Sequence, residues 1–209
     1  MIDVVLPENR FAFARALLEM HHDRKRVFVD TLGWQLPSRD SWLEVDEFDN
    51  EYAVYLIART AGTVRHQGSV RLLPSTRPHV LASLFPFLCA DSVPVGEECW
   101  EISRLVAAPG ETGGTAVVKV HRMLALALLE FADLNDITNY SLVTEAHRVP
   151  ALLSVGWDVR PLGLPTVCMG ENLQALQIVI HEDSLAVMRN RFGIEESVLR
   201  STSPQLRAA

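Results

Sequence analysis

Glu101, Ser103 and Arg104 interrupt the run WEISRLVA, residues 100–107, whose Trp, Ile, Leu and Val otherwise suit a buried strand. A carboxylate or guanidinium in a core is costly unless paired or hydrogen-bonded. The run therefore calls for a structural ion pair or for chemistry. Strict alternation sets Glu101, Ser103 and Leu105 on one face and Trp100, Ile102, Arg104 and Val106 on the other. Either Glu101 and Arg104 serve opposite sides of the sheet, or a bulge between them re-aims one side chain. Upstream, EVDEFD puts Asp46 and Asp49 in a polar loop. Two carboxylates there suit a cationic ligand with an ammonium group, and equally a solvated acidic loop.

Other candidates carry less. GETGG, residues 110–114, precedes a long apolar-rich segment and could hold a phosphate-like group, but it has neither Walker nor dinucleotide spacing. Neighbouring helical residues point about 100° apart, so His21 and His22 do not readily share a metal ion and read as solvated helix histidines. His121 and His147 could act as bases, yet nothing in the sequence sets a nucleophile beside them. No metal site is expected.

Several elements must position these groups. A short strand over residues 2–6 precedes a helix from about 9 to 30, with Phe11, Ala14, Leu17 and Leu18 at helical spacing and the basic, aromatic-edged HHDRKRVF inside it. Gly33 and Pro37 end it, and residues 38–51 form a polar loop. YAVYLIART, QGSVRLLP and CWEISRLVA read as strands, with a short helix near 80–85 between the last two. TAVVKVHRMLALALLEFADLN is the clearest helix; its apolar residues surround much of the circumference, as in a buried helix or the lining of an apolar ligand tail. YSLVT then reads as a strand, AHRVPALLSVG as a helix interrupted at Pro150, WDVRPLG and LQALQIVIHE as strands, and DSLAVMRNRFG as a closing helix. The expected architecture is α/β, with one mixed sheet and helices on both faces, in a single domain over residues 1–209.

Composition narrows the class. With 48% hydrophobic and 22% charged residues, the chain of 209 residues can build a sizeable core. A formal charge of −7 argues against a general nucleic-acid binder. Three cysteines without ligand spacing, no signal-like apolar start and no membrane-length apolar run lead to the expectation of a cytoplasmic protein that neither spans nor binds a membrane.

In order along the chain stand Arg24 with Phe28, then Trp34, then EVDEFD, RLLP from Arg71 and EISR from Glu101. This series resembles the acyl-homoserine-lactone synthases, the autoinducer synthases of bacterial quorum sensing. The likeness covers residues 24–104 and continues more weakly through Val143 and Thr144 to Gly156 and Trp157. PSTRPHVL departs from the family's flavour, as does the extra charge in HHDRKRVF.

The resemblance implies an N-acetyltransferase-like fold, with a mixed, twisted sheet flanked by helices. It implies two substrates, S-adenosylmethionine and an acyl thioester on acyl carrier protein or coenzyme A, with no cofactor, because S-adenosylmethionine is consumed. Arg24, Phe28, Trp34, Asp46 and Asp49 would bind S-adenosylmethionine. Glu101, Arg104, Ser103 and Arg71 would serve catalysis, with Glu101 as base or orienting group. Met123, Leu124, Val143, Thr144 and Leu153 would meet the acyl chain, and GETGG the phosphopantetheine arm. Lys119, Arg122, Arg148 and Arg160 are candidate contacts for an acidic carrier protein. The rival readings are an acyltransferase of the same fold with another amine acceptor, and a non-catalytic acyl or carrier-protein binding module.

Overall fold

β1 (Ile2–Val5) is buried along its whole length and pairs antiparallel with β2 (Val54–Arg59), from Ile2 opposite Ala58 to Val5 opposite Tyr55. The computed structural model describes residues 1–34, 42–60, 62–110 and 114–200. Among them the strands form one eight-stranded sheet. Its further members are β3 (His66–Pro74), β4 (Cys99–Ala107), β5 (Asn139–Glu145), β6 (Asp158–Pro161), β7 (Thr166–Cys168) and β8 (Glu171–Val179). The order is β1-β2-β3-β4-β5-β8-β6, with β7 also on β8. Parallel and antiparallel pairs coexist, so the mixed α/β expectation holds. Chain contacts divide the molecule into two compact units.

The first unit comprises Met1–Arg71, Arg104–Leu128 and Glu196–Ala209. Here the expected first helix is three segments: a 3-10 turn (Pro7–Phe13), α1 (Ala14–Arg24) and a π-helical stretch (Lys25–Thr31). The α phase starts only at Ala14. The buried stripe is therefore Ala16, Met20, Asp23 and Arg24, while Phe11 and Leu18 face solvent, contrary to the spacing argument. Gly68 in β3 is dictated by packing. A Cβ there would lie 2.4 Å from Val120 Cγ1 on α3 (Gly114–Leu134) and 2.8 Å from the Val106 carbonyl oxygen. The chain returns to β1 near its end, where Ile2 N–H donates to Val198 and Arg200 N–H to Ile2. Asp3 on β1 pairs with Arg59 and Arg200.

The second unit comprises Leu72–Ser103 and Leu129–Glu195. β5 and β8 run antiparallel from Asn139 opposite Val179 to Glu145 opposite Leu173. β4 joins β5 in parallel over Cys99–Glu101 only. The short helix α2 (Val80–Leu84) packs Leu81 with Leu88 and Ala175, and half-buried Val143 packs against them. Pro150 does not interrupt α4 (Val149–Val155) but lies in its first turn, where its missing N–H is harmless. Gly156 then ends the helix at φ 103°, a left-handed conformation. β7 escaped the sequence reading because three residues give no periodicity. α5 (Ser184–Phe192) closes the unit. No helix among the described residues is long and apolar enough to cross a membrane.

Candidate active site

The six-residue EVDEFD loop lies in the first unit, where Glu44, Asp46 and Asp49 turn toward arginines and Glu47 is exposed. Arg24, at the last turn of α1, is fully buried and pairs with Glu44. Its two terminal nitrogens also grip Asp49 in a fork, at 2.8 and 2.9 Å. Arg71, buried in β3, holds both oxygens of Asp46 and lies 3.0 Å from Asp49. Arg104 closes the set, reaching Glu44 at 3.0 Å and Asp46 at 2.7 Å. Three guanidiniums thus meet three carboxylates, a neutral and interlocked arrangement that offsets the cost of burying each charge.

The loop also braces itself. Asp46 N–H donates to Asp49 at 2.9 Å, and Phe48 N–H donates to Asp46 at 2.9 Å. Tyr55 on β2 donates its hydroxyl to Asp49 at 2.8 Å. Phe28, in the π-helical stretch, stacks on Trp34 at 4.7 Å between ring centroids, with the planes 21° apart. The Arg104 guanidinium lies 5.7 and 5.8 Å from those two rings. Phe48 stands 5.9 Å from the Arg71 guanidinium.

Electrostatics follow from these contacts. Burial alone would raise the Asp49 carboxyl, but Arg24 and Arg71 outweigh it and hold it well below the usual carboxylate range. Burial, then Asp49, pushes the Tyr55 hydroxyl far above its ordinary value, so it remains a donor. Burial works against the charges on Arg24 and Arg71, yet their carboxylate partners prevail and both hold their protons more firmly. For Arg104 burial outweighs Glu44 and the shift is downward.

Arg104 reaches this cluster through an unusual backbone. Its φ is 53°, left-handed, in the middle of β4. That conformation costs a non-glycine residue on the order of 1 kcal/mol. The anticipated departure from strict alternation is thus located at Arg104 itself. Glu101, by contrast, lies in the second unit and is buried. Its two oxygens accept the N–H groups of Val80 and Leu81, at 3.0 and 2.6 Å, in the first turn of α2. Glu101 thus answers to the backbone of α2, and Arg104 to the acids of the loop.

The remaining expected residues are scattered. Ser103 is half-buried on β4. Met123 is half-buried and Leu124 fully buried on α3 in the first unit; Val143 and Thr144 are half-buried on β5 in the second. Leu153 on α4 is 51% exposed. Arg148 and Arg160 are exposed but paired with Glu145 and Asp158. Of GETGG, residues 111–113 lie outside the described residues, as does Pro37. Among the described residues no group of His, Cys, Asp and Glu could hold a metal ion.

Sequence reasoning missed four neighbours of the cluster. Glu44 is the first acid of EVDEFD and was passed over for the two aspartates. Tyr55 carries no signal beyond being aromatic, and Phe48, although part of EVDEFD, was not singled out. His21 is half-buried and hydrogen-bonded to the Glu44 carbonyl at 2.9 Å, contrary to its reading as a solvated histidine; His22 is exposed as expected. The clue was its position one helical turn before Arg24.

A family model described as autoinducer synthase matches residues 11–188. The chain belongs to that family. Along its full length it is 29% identical to the isovaleryl-homoserine lactone synthase of Bradyrhizobium diazoefficiens, of which it covers 92%. A coenzyme A-dependent acyl-homoserine lactone synthase, solved with SAM and isopentyl-CoA, matches with a TM-score of 0.89 at 28% identity. That match covers 99% of this chain and 95% of the other. An acyl-CoA N-acyltransferase from Pseudomonas aeruginosa shares the fold alone, with a TM-score of 0.57 at 16% identity over 85% of this chain and 97% of that one. Of the charged residues on which the resemblance was read, Arg24, Asp46, Asp49, Arg71 and Arg104 belong to the cluster just described, and Glu101 lies in the second unit.

Proposed function

We propose that the chain is an acyltransferase that makes an N-acyl-homoserine lactone from S-adenosylmethionine and an acyl thioester. The observation that carries this reading is the buried set of Arg24, Glu44, Asp46, Asp49, Arg71 and Arg104, in a chain of the autoinducer synthase family. Binding an acyl chain alone would not require so many ordered charges, which disfavours a non-catalytic module.

In this reading the cluster and the Phe28–Trp34 stack form the S-adenosylmethionine site. The stacked rings offer π faces to a sulfonium or an adenine. Because every carboxylate is already held by a guanidinium, Asp46 and Asp49 act on the α-ammonium as preset acceptors that need not reorganise. The amine loses its proton, directly or through a water, and attacks the thioester carbonyl; the thiolate of the carrier departs and an amide forms. The methionine carboxylate then attacks its own γ carbon, closing the lactone and expelling methylthioadenosine.

Glu101 remains the candidate proton acceptor, although its two N–H donors support an orienting and bracing role equally well. Ser103 would assist the carbonyl as charge develops. Met123, Leu124, Val143 and Thr144 suit an acyl chain, and Leu153, being half-exposed, is the weakest of that group. Lys119, Arg122, Arg148 and Arg160 are all exposed and suit contacts with an acidic carrier protein; Arg148 and Arg160 also pair with Glu145 and Asp158. Both substrates are cytoplasmic, and we place the enzyme there. The donor is coenzyme A or acyl carrier protein.

The decisive experiment incubates purified protein with S-adenosylmethionine and a panel of acyl thioesters on both carriers. Mass spectrometry should find an acyl-homoserine lactone and equimolar methylthioadenosine. Acyl transfer without methylthioadenosine would favour another amine acceptor. Folded protein that yields no lactone with any donor would reject the reading.

A further inference from the structure

His21 and Glu44 exchange two hydrogen bonds. Glu44 N–H donates to the His21 carbonyl at 3.1 Å, and the His21 ring nitrogen Nδ1 lies 2.9 Å from the Glu44 carbonyl oxygen. A carbonyl only accepts, so Nδ1 carries the proton. The contact therefore fixes a tautomer as well as a distance. It also fixes the start of the acidic loop against α1, two residues before Asp46. The same ring meets Tyr55 edge-on, with centroids 6.0 Å apart and planes at 76°, and Tyr55 in turn donates to Asp49.

We propose that His21 is a positioning residue whose Nδ1–H tautomer clamps the loop of Glu44, Asp46 and Asp49 onto α1 and so sets affinity for S-adenosylmethionine. This rests on the reading of that cluster as the S-adenosylmethionine site. The proposal separates two adjacent histidines of identical chemistry: His21 is tied to the loop, whereas His22 faces solvent.

Protonation would leave the Nδ1–H donor in place but add charge to its surroundings. The charged groups that bear on the ring are Arg24 from α1 and Glu44 and Asp49 from the loop, with the Tyr55 hydroxyl on β2. Arg10, in the preceding 3-10 turn, stands 5.6 Å from the Tyr55 ring. Burial, then Arg24, pushes the imidazole below its ordinary value, so it is neutral at pH 7. A second proton would add a cation beside Arg24 in a cluster whose charges already balance. The folded state resists that proton, so this contribution is whole above about pH 6.5 and declines as pH falls below it.

The test compares substitutions that keep or lose a donor at the δ position. His21→Ala should raise KM for S-adenosylmethionine about five- to tenfold, the effect of one hydrogen bond, with kcat within about twofold. His21→Asn, with an amide nitrogen at the δ position, should restore most of the loss; His21→Gln should not, and His22→Ala should match the wild type. KM of the wild type should rise only on the acid side of the imidazole's ordinary value near 6.5, as the second proton adds its charge, and that limb should vanish in His21→Asn. Nitrogen NMR of the folded wild type should show the Nδ1–H tautomer at pH 7.5, a readout independent of turnover. An Nε2–H tautomer, an unchanged KM in His21→Ala, or an Asn variant no better than Ala would each overturn the clamp. If the wild type consumes no S-adenosylmethionine, the functional reading fails, while the tautomer still decides the clamp.

Discussion

In the first unit three carboxylates are buried against three guanidiniums; in the second, Glu101 is buried against two backbone N–H groups. The two solutions to one physical problem differ in what they leave exposed to mutation. The ion pairs of the network join side chain to side chain, so removing one member strands its partners as uncompensated charge. Backbone donors cannot be mutated away, and a neutral isostere of the acid can keep one of its bonds. The first arrangement is stiff and brittle, as suits a site that must hold a charged substrate in one pose. The second ties a short helix to a strand at little risk.

The sharpest way to break the comparison is Arg24→Ala, which leaves Glu44 and Asp49 short of a partner. The loss should be about 3–5 kcal/mol, read as a fall in urea midpoint or failure to accumulate folded protein. Acid titration probes the same network. Asp49 is held below its ordinary value, so its contribution is complete above the unfolded value near 3.9 and is lost only as pH falls further toward the folded one. Urea midpoints should therefore drop steeply below about pH 4, and Asp49→Asn should flatten that slope.

Glu101→Gln should cost less, about 1–3 kcal/mol, because the amide oxygen still accepts one N–H while its NH2 faces the other. Turnover then sharpens the contrast. A proton acceptor would lose about a hundredfold or more in kcat, whereas a brace would lose activity in step with stability. The smallest effect is expected at Ser141, the residue opposite Glu101 on β5, whose buried hydroxyl has no protein partner among the described residues. Ser141→Ala should change thermal stability by less than about 1 kcal/mol, in either direction.

Much of this was legible in the chain. Arg104 stands out because charge amid an apolar run demands a partner, Asp46 and Asp49 as paired acids in a polar loop, and Arg24 and Arg71 only through the resemblance to the synthase family. Their strands and the long helix are legible because their periodicities are strong. Other features were hidden for definite reasons. Which acid meets which arginine depends on where an irregular loop folds, and loops have no period. The exposed Phe11 and Leu18 follow from a 3-10 entry that shifts the helical phase, and no residue in PENRFAF announces it. The role of Tyr55 is tertiary, since neither its type nor its neighbours distinguish it from an ordinary core residue, and His21 offers only its place one turn before Arg24. Glu101 was legible as a buried acid, but its partners are backbone groups of another segment, and those have no letter in a sequence.

Arg104 meets two demands that no single residue type satisfies. Its backbone, at φ 53°, suits glycine, and its carboxylate neighbours require a guanidinium. Substitution toward glycine would relax the main chain and abandon the charges. Lysine would keep a cation but lose the planar fork, and asparagine would ease the backbone but lose the charge. No stepwise route from arginine improves one property without forfeiting the other. The strain is thus bound to the charge, because a substitution that eases the one gives up the other.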